Sequence, residues 1–154
     1  LLRLLRLLRL PRLPRLLRLP SLLPLRRVVI FVGAVLRKAR QHREEEMSTL
    51  ETIKSQIEEN PVLLYMKGTP NQPQCGFSSQ TVQALMACSR PFSFVNILEH
   101  PDIRAELPKY AEWPTFPQLW INGELVGGCD IVLEMYQSGE LKPMVEAASP
   151  EASE

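Results

Sequence analysis

Of the three cysteines in this chain, Cys75 is the one whose neighbours in the sequence favour chemistry. It follows a loop that contains two prolines and directly precedes a predicted helix. A sulfur at that place meets the unpaired N–H groups of the first helical turn and the positive end of the helix dipole, which both favour thiolate over thiol. A cysteine is more often a small buried hydrophobe, but the polar and small neighbours Gln74 and Gly76 predict an exposed sulfur. We therefore predict that Cys75 is a reactive thiol.

The other cysteines and the histidines do not form a recognisable metal or disulfide pattern. Cys88 lies at helical spacing from the apolar residues Val82 and Leu85, which predicts a buried structural thiol. An odd and sparse set of cysteines has no disulfide framework and favours a reducing compartment. Neither histidine, His42 or His100, lies near a cysteine at zinc-ligand spacing. A mononuclear zinc site is therefore not expected.

The segments on either side of Cys75 predict alternating helices and strands. A first helix is expected to begin at a capping box, Ser48 with Glu51, and to end at Asn60–Pro61. The continuous apolar run Val62 to Met66 is typical of a strand that is buried on both faces. Cys75 then opens a second helix. The apolar residues predicted to face the core from that helix are Val82, Leu85 and Met86.

The second half of the chain continues this alternation and ends in a hairpin and a helix. The dipeptide Asn122–Gly123 predicts a tight hairpin because it supplies two positive φ angles. The predicted elements are a strand around Phe92, Phe94 and Ile97, a helix from Pro101 and Asp102 through Leu107, strands over Pro117–Ile121 and Glu124–Val126, a helix from about Asp130 to Gly139, and a further turn or two over Leu141–Ala148.

This order of elements predicts an α/β fold. A strand-helix-strand unit requires a parallel pair of strands, whereas the hairpin requires an antiparallel pair. The result is a mixed four-stranded sheet with helices on both faces. We therefore expect a thioredoxin-like fold.

Four short motifs, taken together, resemble the monothiol glutaredoxin family and look closest to its single-domain bacterial type. They lie at the spacing of that family, and the resemblance covers residues 47–148. The motifs are Cys75-Gly76-Phe77-Ser78, Lys67-Gly68-Thr69-Pro70, Trp113-Pro114-Thr115-Phe116-Pro117-Gln118-Leu119 and Gly127-Gly128-Cys129-Asp130.

The resemblance implies that these motifs form a glutathione site. It implies that the backbone of Phe116, in a turn similar to the family's cis-proline turn, pairs with the cysteinyl part of glutathione. It also implies that the γ-glutamyl carboxylate meets the start of the last helix, where Asp130 faces the ammonium group. The full set of residues implied to hold glutathione or a cluster is Lys67, Cys75, Phe77, Arg104, Thr115, Phe116, Pro117, Gly128, Cys129 and Asp130, with Cys75 as both the catalytic thiol and the metal ligand.

Several of these residues also have a simpler interpretation. Lys67 and Arg104 would pair with the glycine carboxylate of glutathione, but a lone cation is ordinarily a solvated charge. Asp130 is also a good helix cap. Cys129 either packs in the core or approaches glutathione and resolves a disulfide with Cys75.

The fourth residue of the first motif is Ser78, where dithiol relatives have a second cysteine. A hydroxyl cannot attack a mixed disulfide, so thioredoxin-style disulfide reduction should be weak or absent. A [2Fe–2S] cluster takes four thiolates, and the resemblance implies that Cys75 from two chains and two glutathione thiols supply them. The expected function is therefore cluster carriage by a homodimer that the cluster bridges. The expected partners are a BolA-like protein and apo iron–sulfur proteins.

Two other functions compete with cluster carriage. In the first, the chain is a glutathione-dependent oxidoreductase that removes glutathione from proteins: the Cys75 thiolate attacks, and free glutathione resolves the mixed disulfide. In the second, a nucleic-acid or membrane-surface function lies in a basic N-terminal arm. Trp113 and Trp120 are expected to be core or rim aromatics rather than a base-stacking platform, because the domain that carries them is acidic and repels phosphate.

The charge of the chain is segregated at about residue 46. Residues 1–46 carry twelve Lys or Arg and three acids, whereas residues 47–154 carry six basic and fourteen acidic side chains. The first 25 residues are almost only Leu, Arg and Pro, a composition that cannot build a core. We expect a low-complexity extension over 1–46 that is disordered or not native, a folded domain over 47–148 and a flexible tail over 149–154.

The extension has three interpretations. It is a transit peptide, an export signal around Arg26–Arg27, or an over-extended reading frame with Met47 as the natural start. We favour the third. The longest apolar run, Val28 to Leu36, is too short to cross a bilayer, so we expect a soluble, cytoplasmic protein without a nucleic-acid or membrane partner. A true transit peptide would place it in the mitochondrial matrix instead.

Overall fold

The computed structural model describes residues 23–149, with side-chain surroundings from residue 32 onward. The chain divides into two compact units, residues 1–40 and 41–154. In the first unit, the described residues are helical. The second unit contains the sheet and all the elements discussed below. Of the extension expected over 1–46, residues 1–22 lie outside the described residues and 23–46 are part of a helix. Of the tail expected over 149–154, residues 150–154 lie outside them.

Nine elements follow one another in the described part of the chain. They are α1 (Leu23–Glu59), β1 (Val62–Met66), α2 (Gly76–Ala87), β2 (Ser93–Asn96), α3 (Pro101–Tyr110), β3 (Gln118–Ile121), β4 (Glu124–Gly127), α4 (Cys129–Ser138) and α5 (Leu141–Ala148).

The strands form one mixed four-stranded sheet in the order β2-β1-β3-β4. β1 pairs with β2 in parallel, with Leu64 opposite Phe94. It pairs with β3 in the antiparallel sense, with Leu64 opposite Leu119, and β3 pairs with β4 across the hairpin. Asn122 and Gly123 have φ angles of 50° and 85°, as the turn chemistry predicts. The predicted sheet and the thioredoxin-like fold are therefore confirmed.

Strand β1 is buried on both faces because helices cover both sides of the sheet. Its alternate residues contribute to two separate hydrophobic clusters. Leu64 and Met66 pack in a cluster with residues of α2, α4 and α5. Leu63 and Tyr65 pack in a second cluster with residues of α1 and α3. The central strand therefore fixes the relative positions of the helices whose ends form the site.

Two predictions about the helices are wrong. The first helix does not begin at a Ser48 capping box, since α1 starts at Leu23 and the Ser48 carbonyl accepts a hydrogen bond from the hydroxyl of Thr52 within the helix. Residues 25–46 contain no proline and many good helix formers, and a helix satisfies its own backbone without a core. Met86 does not face the core: half of its surface is exposed, because the buried face of α2 is formed by Ser78, Thr81, Val82, Ala84 and Leu85 instead.

None of the helices within the described residues is long and apolar enough to cross a membrane.

The loop between β1 and α2 carries the chain back to the start of α2, where Cys75 lies. The Gln74 N–H donates to the Lys67 carbonyl (2.9 Å), and the Gly68 N–H donates to the buried Asn96 side-chain oxygen (2.9 Å). Gly68 has a φ of +89°, and a Cβ placed there would lie 2.4 Å from the carbonyl oxygen of Gln72. Only glycine fits this close approach of backbone to backbone.

We predict that Gly68→Ala lowers the free energy of unfolding by about 3 kcal/mol or more, because it adds a backbone overlap to left-handed strain. Gly139→Ala is the matched control, since Gly139 has a φ of +82° with open space around the added Cβ. That variant should lose only about 1–2 kcal/mol. Urea unfolding followed by tryptophan fluorescence measures both. Equal losses in the two variants would contradict the role of the overlap.

Candidate functional site

Cys75 is the N-cap residue of α2, with φ −150° and ψ 136°. Its extended backbone makes it the last residue before the helix, as predicted. The sulfur is partly exposed and forms no disulfide. Because no side chain caps α2, the N–H groups of its first turn are available to the sulfur itself.

The pKa of Cys75 is lowered below the ordinary value of a thiol. The largest cause is a hydrogen bond from the backbone N–H of Ser78 to the sulfur. Partial burial opposes this effect, whereas the N–H of Phe77, the positive charge of Lys67 and the hydroxyl of Ser78 reinforce it. The structure therefore has the predicted activation of the thiol by a helix N-terminus.

Ser78 does more than take the place of a second cysteine. It is fully buried, and its hydroxyl oxygen accepts a hydrogen bond from the backbone N–H of Lys67 (3.2 Å). The same hydroxyl interacts with the sulfur of Cys75. Ser78 thus links the end of β1, the first turn of α2 and the thiol.

A cavity of about 670 Å³ opens beside Cys75. This volume lies within the range of roughly 300–1,000 Å³ that small-molecule sites occupy. The cavity is where four parts of the fold meet: the β1–α2 connection with the first turn of α2, helix α3, the segment before β3 and the start of α4. The ten residues predicted for the site all line it, namely Lys67, Cys75, Phe77, Arg104, Thr115, Phe116, Pro117, Gly128, Cys129 and Asp130.

Both signs of charge are present in the cavity wall. Lys67 and Arg104 line it, and neither forms an ion pair with another residue in the described part of the chain. Asp130 lies in the first turn of α4, but the N-cap residue is Gly128 and no side chain caps the helix. Asp130 is therefore not the cap that its position in the sequence also allowed. Its carboxylate and the N–H groups of α4 are available to a ligand.

The segment 113–117 forms one wall of the cavity. The Phe116–Pro117 peptide bond is cis, as the resemblance implies. Gln118 follows, fully buried, and its amide nitrogen donates to the carbonyl oxygens of Trp113 (2.9 Å) and Thr115 (3.2 Å).

The two remaining cysteines differ in their relation to the cavity. Cys88 is buried, its sulfur lies 3.3 Å from the Ala84 carbonyl, and burial raises its pKa. The prediction of a structural thiol is confirmed. Cys129 is also buried and yet lines the cavity, and its sulfur lies 3.6 Å from the side-chain oxygen of Gln80.

Sequence reasoning missed some of the residues of this site. Trp113 is half-buried in the cavity wall, which agrees with the expected rim position, but its place in the ligand site was not predicted; its indole N–H is buried without a partner among the described residues. Its place in the same motif as Thr115 was the available signal. Pro108 and Ile131 also line the cavity, and nothing in the sequence marks them. Trp120 is buried and stacks on Tyr110, as expected for a core aromatic.

The chain is similar to known glutaredoxins. Residues 62–126 match the family model "Glutaredoxin". Over 99 residues, the chain is 68% identical to Glutaredoxin 4 of Escherichia coli strain K12, covering 64% of this chain and 86% of that protein. It is 67% identical to Glutaredoxin 4 of Pasteurella multocida strain Pm70, covering 64% of this chain and 91% of that protein. The solution structure of reduced poplar apo GrxS14 is 51% identical with a TM-score of 0.56, covering 64% of this chain and 90% of that one.

We predict that Lys67→Gln raises the pKa of Cys75, because the variant removes a positive charge that stabilises the thiolate. At a pH below the midpoint of the titration, the thiolate fraction falls and alkylation of Cys75 slows. Iodoacetamide labelling between pH 5 and 10, with the Cys75 peptide quantified by mass spectrometry, measures the midpoint. Lys54→Gln, an exposed lysine outside the cavity, is the control and should leave the midpoint unchanged. A midpoint that Lys67→Gln does not move would exclude the electrostatic contribution.

Proposed function

The chain belongs to the monothiol glutaredoxin family, and from this membership and its site geometry we propose that it binds a [2Fe–2S] cluster with glutathione and passes the cluster to other proteins. The observation that carries the proposal is the state of Cys75. It is a partly exposed sulfur with a lowered pKa at the edge of a cavity, and the residue one helical turn later is a buried serine.

A sulfur in this state can bind iron but cannot close a disulfide with the next turn of its own helix. Iron–sulfur clusters bind thiolates, so a lowered pKa favours cluster binding at neutral pH. Among the described residues, no three side chains of His, Cys, Asp or Glu come together in a group that could hold a metal ion. We therefore propose that the remaining ligands come from outside the chain.

The charged groups around the cavity suit glutathione. It has a carboxylate at each end, an ammonium group beside one of them, and a thiol between. Lys67 and Arg104 supply positive charge for one carboxylate. The start of α4 and Asp130 suit the other carboxylate and the ammonium group. The peptide backbone of the ligand then lies along the segment 113–117, with its thiol near Cys75.

Two chains, each with one Cys75 and one glutathione, supply the four thiolates that a [2Fe–2S] cluster needs. We propose a homodimer that the cluster bridges. Phe77, next to Cys75, is 59% exposed, which makes apolar surface available beside the cluster. Replacement of one chain by a BolA-like protein, and delivery of the cluster to apo iron–sulfur proteins, belong to the same proposal.

In this proposal, the chain supplies one ligand of the cluster, the Cys75 thiolate, and binds the second ligand, the glutathione thiol, reversibly. Ser78 and the first turn of α2 stabilise the Cys75 thiolate by hydrogen bonds and form no covalent bond with it. The glutathione thiol belongs to a dissociable small molecule, so half of the ligands of the cluster can be exchanged without unfolding the chain. This combination suits the transfer of a cluster better than long-term electron transfer through it.

We predict that Arg104→Gln weakens the binding of S-methylglutathione about 10-fold or more, because a charge-assisted hydrogen bond is lost. Isothermal titration calorimetry measures the Kd, and the methylated thiol keeps disulfide chemistry out of the measurement. Arg43→Gln, an exposed arginine of α1 outside the cavity, should bind like the unmodified chain. If Arg104→Gln bound with unchanged affinity, Arg104 would be a solvated charge.

We predict that anaerobic reconstitution with iron, sulfide and glutathione gives one cluster for every two chains, and that Cys75→Ser abolishes it. Visible absorption and circular dichroism detect the cluster, and gel filtration with iron, sulfide and glutathione analysis gives its stoichiometry. Cys88→Ser is the control, because it removes one thiol that lies outside the cavity. It should retain the full cluster.

Two results would reject the proposal. A Cys75→Ser chain that still held a full cluster would exclude the proposed ligand. Rapid turnover of a glutathionylated protein by a chain that retains no cluster would favour the oxidoreductase function.

A further inference from the structure

We propose that Gln118 is a positioning residue of the ligand site, and that the two hydrogen bonds of its side-chain amide set the conformation of residues 113–117, which we call the wall segment. The identity of the ligand, glutathione, rests on the proposed function. The conformation of the wall segment does not, and it can be measured separately.

The wall segment depends on Gln118 because it has few hydrogen bonds of its own. Two of its five residues, Pro114 and Pro117, have no backbone N–H. Among the described residues, the wall segment makes one backbone hydrogen bond outside helices and strands. The Trp113 N–H donates to the Pro108 carbonyl (3.1 Å). The carbonyls of Trp113 and Thr115 are satisfied by the amide of Gln118 instead. One side chain thus holds both ends of the turn around Pro114.

A glutamine at position 118 is less favourable for the stability of the core than an apolar side chain would be. It is fully buried at the start of β3, and its side-chain oxygen has no hydrogen-bond partner among the described residues. A buried polar atom without a partner is unfavourable, so an apolar side chain of the same size would suit a core position better. The amide nitrogen, in contrast, makes two bonds, and both go to the wall segment. The benefit of the amide is therefore local to that segment.

The wall segment in turn contacts the start of α4. A Cβ placed on Gly128 would lie 3.4 Å from the indole nitrogen of Trp113 and 3.5 Å from the carbonyl oxygen of Pro117. Trp113 and Pro117 therefore pack closely against the residue that begins α4. A shift of the wall segment changes both the face that Phe116 presents to the cavity and the shape of the cavity at the helix N-terminus. Gln118 governs both without lining the cavity itself.

The test uses Gln118→Met in the full chain. Methionine is close to glutamine in length and volume, but it cannot donate a hydrogen bond. The chain has two tryptophans, so labelling with 5-fluorotryptophan gives two ¹⁹F resonances, one from Trp113 in the wall segment and one from Trp120 in the core. Trp113→Phe assigns them. S-methylglutathione binding is measured on the same samples by calorimetry.

We expect Gln118→Met to shift or broaden the Trp113 resonance more than that of Trp120 and to weaken S-methylglutathione binding about 10-fold. Ile97→Val is the matched control, because it trims a buried residue in the cluster that includes Trp120. It should lower the Tm without changing the Trp113 resonance or the Kd. Gln118→Asn is the second variant in case Gln118→Met does not fold. It keeps a buried amide but is one methylene too short to reach both carbonyls, so the same two changes are expected.

An unchanged Trp113 resonance in a folded variant would overturn the proposal, and so would a shifted resonance with an unchanged Kd. If the unmodified chain itself failed to bind S-methylglutathione, the proposed function would fail. In that case, the Trp113 resonance alone would decide the role of Gln118: a selective shift supports it, and no shift overturns it.

Discussion

The site depends on one electrostatic contact, that between the sulfur of Cys75 and the N–H groups at the start of α2. The N–H of Ser78 makes the largest contribution to the lowered pKa of the thiol. That contact exists only while the β1–α2 loop delivers Cys75 to the N-cap position with its side chain over the helix end. The left-handed Gly68 and the hydrogen bond from the Lys67 backbone N–H to the Ser78 hydroxyl oxygen hold the loop and the helix together. The reactivity of the thiol is therefore a property of the connection between a strand and a helix.

Buried polar side chains fix the loops that surround the cavity. Ser78 accepts from the backbone of Lys67, Asn96 accepts from the backbone of Gly68, and Gln118 donates to the backbone of the wall segment. Each is at least nine-tenths buried, and each makes its bond to a loop rather than to another core side chain. The two hydrophobic clusters hold the sheet and helices, whereas these three polar residues connect the loops to them by hydrogen bonds. Buried polar groups need partners, and here the partners are backbone groups of the loops around the cavity. The packing of the core and the conformation of these loops therefore depend on each other.

The absence of a second thiol one turn after Cys75 limits the chemistry that the site can perform. Dithiol chemistry would end each reaction in a ring between two cysteines of one chain. With Ser78 in that position, the Cys75 thiolate is stabilised but has no intramolecular partner on its own helix. The cavity beside it carries separated positive and negative groups, which suits a small zwitterion better than an extended protein. These features are the ones on which the proposal of a ligand shell shared with glutathione rests.

The sequence by itself determined the order of elements, the mixed sheet, the hairpin at Asn122–Gly123 and the reactive position of Cys75, because periodicity, turn chemistry and helix ends are local properties of the chain. It did not determine where the first helix begins, since a capping motif at Ser48 is overridden when helix formers continue upstream. Only the tertiary structure brought Lys67, Arg104 and Asp130, which are far apart in the sequence, to one cavity. It alone revealed the hydrogen bonds of Ser78 and Gln118 to backbone groups and the position of Trp113 in the cavity wall, because contacts between buried side chains and backbone groups leave no periodic signal in the sequence. Local chemistry is therefore readable from the chain, whereas the positions of the loops follow from packing.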